Sequence, residues 1–506
     1  MKGSEIMFKK RIALLLAALM LASSFAACGT QGATVTDAPD APDATGTTEA
    51  VTTTELVTTL KQADVPDVKY DGADFNIWVG GNVTYRDFTY TDTDTVLDNA
   101  IYRRNEAISE GFDVKFVVSE KFSFGNYYGS GPGYQEVMRL DKAGENPYDV
   151  SFVGTHDVCA LATQGVLENL NDVPYVELDN EWWDQKANEQ LEISGVMPYT
   201  TGSITTIVDQ FTFCILFNKR IAEEMKLDLY SLVKEGKWTV DKWGEITSQI
   251  SEDVNGDDVM DSKDKYGSLT WNDSLLGVIN ATGLSIASLN DNGEITLNVF
   301  DERISSMIDK YTSYAYTNNC FNIQTIATDR TATRRNMFIE ERALFWLYNV
   351  GDDNIAFRNS ETLEYGFLPY FKLDENQKEY ANHIQEAACY FMCVPRMVTD
   401  MEKSGVLIEA MAAESYYTVR PAYFEKQLVG TYIQDEESAE MLEIIFATRI
   451  FDLGGFYQVG GYTTGLLTQF LNKSTSYTTF FESRRRVADA NIAKINDSIK
   501  SHIIGE

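Results

Sequence analysis

The chain has 506 residues, of which 76 are acidic and 42 basic, for a formal net charge of −34. Such acidity argues against nucleic acid and anionic membrane surfaces as partners. With only three histidines, little material remains for histidine catalysis or a histidine zinc site.

In chain order, Lys9, Lys10 and Arg11 precede an apolar run from Ile12 to Ala27. The run is short for a membrane span, which needs about 20 residues, and with its basic head it makes a secretory signal over residues 1–27. Ala26 and Ala27 immediately before Cys28 resemble the lipobox of bacterial lipoproteins, although Phe25 stands where that pattern usually has Leu. The resemblance implies that Cys28 becomes the lipid-carrying N-terminus and holds the protein at the extracellular face of the cell membrane. A plain secreted protein is the alternative. Residues 28–68 are rich in Thr, Ala, Asp and Pro and have no apolar periodicity. They are expected to be a disordered tether, with an r.m.s. reach of roughly 35 Å.

Beyond the tether, strands alternate with helices. Phe75–Val79 alternates and runs into Gly80, Gly81 and Asn82, while Val96–Ile108 carries apolar residues at helical spacing. Phe112, Val114, Phe116 and Val118 alternate again, and Tyr134–Ala143 suits a helix. Tyr148–Val153 suits a strand that ends at Gly154, Thr155 and His156, before a helix from Val158. This order predicts an α/β fold with a mostly parallel sheet flanked by helices. Ligands of such sheets bind beyond the carboxyl ends of strands. Gly81, Asn82, Thr155 and His156 are therefore candidate ligand residues, though they also suit ordinary turns. Cys159, Cys214, Cys320, Cys389 and Cys393 are scattered and odd in number, which suits small buried hydrophobes better than disulfides.

Seven stretches stand out in order along the chain: Leu97–Asn105, Glu145–Val150, Phe217–Ile221, Gly236–Trp243, Phe338–Phe345, Tyr365–Tyr370 and Arg420–Tyr423. Together they resemble the sugar-type, family 1 extracellular solute-binding lipoproteins of bacterial ABC transporters. The resemblance implies the two-lobed periplasmic-binding-protein fold with discontinuous lobes: 69–199 plus 343–392 as lobe one, and 200–342 plus 393–506 as lobe two. It also implies a monomer that captures a carbohydrate, an oligosaccharide for preference, and delivers it to the transmembrane subunits of an ABC permease without catalysis. By the same correspondence Trp271 faces the cleft, followed by Trp346, Tyr348, Asn349 and Asp352, and Asp209 with Gln210 lies at the first crossing between lobes. For any one Trp a place in the core is an equal reading. Trp238 and Trp243 fit a helix start in the core, and of adjacent Trp182 and Trp183 one is expected to be buried.

A second motif lies at Asp253–Asp264. Asp253, Asn255, Asp257, Asp261 and Asp264 occupy positions 1, 3, 5, 9 and 12 of a twelve-residue loop, with the Val259 carbonyl at position 7. Ca²⁺ takes six to eight oxygens, and the loop resembles EF-hand and dockerin-type loops, which implies a structural Ca²⁺. Asp258 at position 6, normally Gly, and Asp264 rather than Glu at position 12 depart from the pattern. A solvated acidic loop is the alternative. Other functions kept open are a surface carbohydrate-active hydrolase, a binder of peptides or other solutes, and a calcium-dependent surface scaffold.

Overall fold

The computed structural model describes residues 61–90, 95–125, 128–351, 357, 360, 362–424 and 436–504. Cys28 and most of the expected tether lie outside them. The folded unit begins at Lys61 rather than at Lys69. Lys61 donates to Asn180 and lies over the Trp182 ring, and Ala63 and Val65 pack on the core.

In the first lobe β1 (Ala73–Gly81), β2 (Val114–Phe122) and β3 (Val150–Gly154) pair in parallel, with β1 in the middle. The helix Val96–Phe112 starts where the Thr95 side chain accepts from the Asp98 N–H at 3.0 Å. It stops at Asp113, which takes the left-handed conformation at φ 51°. The next helix, Pro132–Ala143, has proline in its first turn. Its N-terminus is held by Asp157, whose carboxylate accepts from the N–H groups of Ser130, Gly131 and Tyr134 at 3.2, 3.0 and 3.1 Å. A Cβ at Gly133 would stand 2.6 Å from Val153 Cγ1 and 2.9 Å from the Gly80 carbonyl. Glycine at that position lets the helix seat directly on the ends of β1 and β3.

The second lobe carries β4 (Phe213–Asn218), β5 (Ser251–Glu252), β6 (Lys265–Thr270), the hairpin β7 (Ala287–Leu289) with β8 (Ile295–Leu297), β9 (Cys320–Asn322), β10 (Ala343–Asn349) and β11 (Tyr365–Leu368). The sheet order is β11-β4-β10-β6-β5, with β9 also on β6. β10 and β9 run parallel to β6, whereas β4 runs antiparallel to β10 and β11. The sheet is therefore mixed rather than mostly parallel.

The chain then passes through β12 (Asn382–His383) and returns to the first sheet as β13 (Tyr390–Cys393), antiparallel to β3. β12 itself pairs with β14 (Arg449–Ile450). This corrects the expected lobe boundaries. β10 and β11 belong with the second sheet: every residue of β10 is buried and the strand is hydrogen-bonded on both sides, by β4 and β6, and β11 pairs with β4. Residues 390–417 belong with the first lobe. The helix Met401–Tyr417 packs on Val96–Phe112, Lys403 pairs with Asp149 at 2.9 Å, and buried Arg104 donates to Ser415 Oγ at 3.3 Å. Two segments cross between lobes side by side, bridged at Thr200 with Met392 and at Thr212 with Ile384. All five described cysteines are buried and free. Among the described residues no helix is long and apolar enough to cross a membrane.

Candidate ligand-binding site

Gly81, Asn82, Thr155 and His156 stand at the carboxyl ends of β1 and β3, as expected, and all four are buried. Asn82 Nδ2 donates to the Ala387 carbonyl at 2.8 Å, and the Thr155 hydroxyl donates to the Cys389 carbonyl at 3.1 Å. Both side chains thus fasten the first lobe to the returning crossing. His156 Nε2 lies 2.9 Å from Gln458 Nε2, and its Nδ1 is sealed without a hydrogen-bond partner among the described residues. Burial lowers its pKa, so the ring is neutral at pH 7.

Asp209 and Gln210 are on the outgoing crossing. Asp209 accepts from Arg449, which also donates to Asp184 at 2.7 Å. Burial raises the Asp209 pKa, and Arg449 opposes the rise. Gln210 accepts from the Tyr423 hydroxyl at 3.3 Å, and its carbonyl accepts from the Gly351 N–H at 3.0 Å. The pair is therefore a buried joint, not a solvated edge.

The tryptophans separate cleanly. Six of the seven are buried, and only Trp271 keeps part of its surface accessible. Trp182 and Trp183 are both buried, contrary to expectation, because they lie in a turn and both indoles donate to the Glu409 carboxylate, at 2.9 and 3.0 Å. Trp238 donates to the Pro369 carbonyl at 3.0 Å, and Trp243 stacks on Tyr311 with ring centres 5.3 Å apart.

Trp271 follows the last residue of β6. Its Nε1 donates to Gln324 at 2.6 Å and its ring lies 5.2 Å from that of Tyr348. Tyr348 in turn stacks on Trp346 at 4.8 Å, and the Arg334 guanidinium lies 4.8 Å from the Tyr348 ring centre. Trp346 and Tyr348 were expected to face the cleft. They are 0% and 1% exposed and instead back the Trp271 ring, since β10 is covered on both faces. Asp352 lies outside the described residues.

Polar groups gather here too: Asn349, a sequence candidate that is buried at 1% exposure, and Gln385 with Asp273, which no local motif announced. Asn349 Nδ2 donates to Gln385 Oε1 at 3.3 Å, and Gln385 Nε2 donates to Asp273 Oδ2 at 3.3 Å. Asp273 keeps accessible surface although protein surrounds it, and burial, then the charge of Glu386, pushes its pKa up to about 6. Glu386 itself is held below the usual carboxylate range. Burial acts to raise it, but the contact with His383, 3.2 Å away, overcomes that effect. From the first lobe, half-buried Tyr85 makes a 2.8 Å hydroxyl contact with Thr206 and packs edge-on against Phe211. A tryptophan face with amides and a carboxylate beside it suits a ligand that has both apolar C–H faces and hydroxyls.

In the 253–264 loop, Asp258 adopts φ 60°, so the turn normally given to glycine is made. Asp253 accepts from the N–H groups of Gly256 and Asp258, Asp257 from Val259, and Asp264 from Val254 and Asp261. Among the described residues no group of three or more His, Cys, Asp or Glu is gathered closely enough to hold a metal ion, this loop included.

No protein-family model matches the chain, and no curated protein matches it in sequence. Solved structures do match in shape. The sugar-binding protein MalE of Xanthomonas citri superposes with a TM-score of 0.54 at 10% identity, covering 85% of this chain and 98% of that one. UspC of M. tuberculosis gives 0.53 at 12% identity, over 83% and 100%. An ABC substrate-binding protein of Listeria monocytogenes, solved with cycloalternan, gives 0.51 at 10% identity, over 86% and 99%. The fold is the two-lobed, MalE-like binding-protein fold. Its two sheets, joined by side-by-side crossings, leave the carboxyl ends of β1, β3, β6 and β10 at the junction between lobes.

Proposed function

We propose that this protein captures a carbohydrate between its lobes and presents it to an ABC importer, held at the extracellular face of the cell membrane by lipid on Cys28. The observation that carries the reading is Trp271: it is the one tryptophan left accessible, placed at a strand end beside Asp273 and the Gln385 bonded to it. Two of the similar folds are titled as a sugar-binding protein and as an ABC substrate-binding protein in complex with cycloalternan, which supports the same class of ligand. Closure would act by population shift: the ligand binds the closed arrangement better than the open one, and the permease reads the closed one.

No chemistry on the ligand is part of this reading. Asp273 and Glu386 have pKa values pushed apart, as an acid and base pair would require. Glu386, however, is 3% exposed and tied to His383, so it does not reach a sugar.

The test is a tryptophan-fluorescence and thermal-shift titration of the purified protein with oligosaccharides, with product analysis of the same mixtures. One glycan class should raise the melting temperature and change the emission, with no product formed. Trp271→Ala should weaken that binding by roughly 30-fold or more, as loss of a central aromatic anchor does. If no saccharide shifts either signal, or if Trp271→Ala binds as tightly as wild type, the reading fails.

A further inference from the structure

Trp271 and Asp273 leave β6 on one turn and offer a ligand two chemistries. Asp273 occupies the N-cap position of the helix Ser274–Asn280, where an aspartate ordinarily accepts from the helix's own N–H groups. Here it makes no such bond, and the Ser274 hydroxyl accepts from the Trp271 N–H at 3.0 Å instead. Among the described residues the Asp273 carboxylate has one hydrogen bond, the 3.3 Å contact from Gln385. A carboxylate has roughly four lone-pair sites, so most of its accepting capacity is unused on a face that remains accessible.

Of the charged groups that act on Asp273, Glu386 is the stronger and is negative, and His383, 3.2 Å from Glu386, opposes it. Arg449 is committed to Asp184 and Asp209. Arg334 is buried behind the aromatic row, against Tyr348. A second buried polar atom, His156 Nδ1, has no hydrogen-bond partner among the described residues, while Nε2 of the same ring lies 2.9 Å from Gln458 Nε2.

We propose that Asp273 sets the charge class of the ligand: the cleft accepts a sugar that is neutral or carries an amine, and rejects one that carries a carboxylate, sulfate or phosphate. This rests on the carbohydrate reading above. An ionised carboxylate accepts strongly from hydroxyl and ammonium groups. A second anion beside it meets like-charge repulsion that surrounding protein screens poorly.

A glycan array bearing neutral, amine-bearing, uronate-bearing and sulfated oligosaccharides tests it on the intact protein. Binding should be confined to the neutral and amine-bearing members. The best neutral glycan and its uronate counterpart should differ in Kd on the order of a hundredfold, the size of a like-charge clash at an interface. In Asp273→Asn that ratio should fall at least tenfold. A uronate or sulfated glycan among the strongest wild-type ligands would overturn the proposal while leaving carbohydrate capture intact, and that comparison needs no variant to fold. An unchanged ratio in folded Asp273→Asn would overturn the role of Asp273. An array with no binding at all would remove the carbohydrate reading and the proposal with it.

Discussion

Replacing Asp273 by asparagine should stabilise the ligand-free protein at neutral pH. Burial and the neighbouring Glu386 charge raise the pKa of this carboxyl group from 3.8 to about 6. Each pKa unit corresponds to about 1.4 kcal/mol, so keeping Asp273 ionised in the folded state costs at most about 3 kcal/mol. Its accessible face lowers that figure, and about 1–3 kcal/mol is the expected range. The folded state takes up the proton more readily than the unfolded chain. The penalty is therefore fully present above pH 6, shrinks as pH falls, and is gone below 3.8. Asparagine keeps the shape and an oxygen for Gln385 but carries no charge. Urea unfolding at pH 7.5 and pH 4.0 measures the effect: the variant should be the more stable at the higher pH, and the two should agree within about 0.5 kcal/mol at the lower. If the variant were less stable at pH 7.5, or if the difference were equal at both pH values, the electrostatic reasoning would be refuted.

Arg449→Met leaves Asp184 and Asp209 without their shared cation, and should destabilise by about 3–5 kcal/mol. Adding Asp209→Asn should recover part of that loss in urea melts, and a double variant no better than the single would contradict the pairing. For the 253–264 loop, amide hydrogen bonds use only some of the carboxylate lone pairs. The Ca²⁺ expected there from sequence alone is checked by melting with Ca²⁺ and with chelator: a bound ion at about 100 times its Kd would add about 2.7 kcal/mol, whereas equal melting temperatures, which the absence of a gathered ligand group among the described residues favours, would end that expectation. Cys28→Ser should move the protein from the detergent phase to the aqueous phase on Triton X-114 partition, whereas unchanged partition would argue against a lipid on Cys28.

The first lobe was largely legible because its strands and helices announce themselves locally. β1 and β2 alternate, Gly80 and Gly81 end β1, and Val96–Ile108 carries its apolar residues at helical spacing. Sheet membership was not. A strand such as Ala343–Asn349, apolar on both faces, declares that it is central without saying in which sheet. Only its pairing with β4 and β6 decides. Distant partners hid the fate of the tryptophans in the same way. Trp182 and Trp183 are sealed together by Glu409, 227 and 226 residues away, which no spacing rule could reveal. The strand-end position of Trp271 was readable because it follows β6 directly. Gln385 and Glu386 were not, since they act only where the two crossings lie alongside each other. The other strand-end candidates were correctly placed but tie lobe to crossing, because a strand's carboxyl end in this molecule is also where the chain changes lobes.

The return of β13 to the edge of β3 has a consequence for how the protein is made. The first sheet lacks its last strand until Tyr390–Cys393 has been synthesised, more than two hundred residues after β3. Until then the β3 edge presents unpaired N–H and C=O groups, which invite pairing with another chain, and closing so long a loop is slow. If residues 1–27 act as the export signal their sequence suggests, that delay would keep the first lobe threadable until its last strand has arrived.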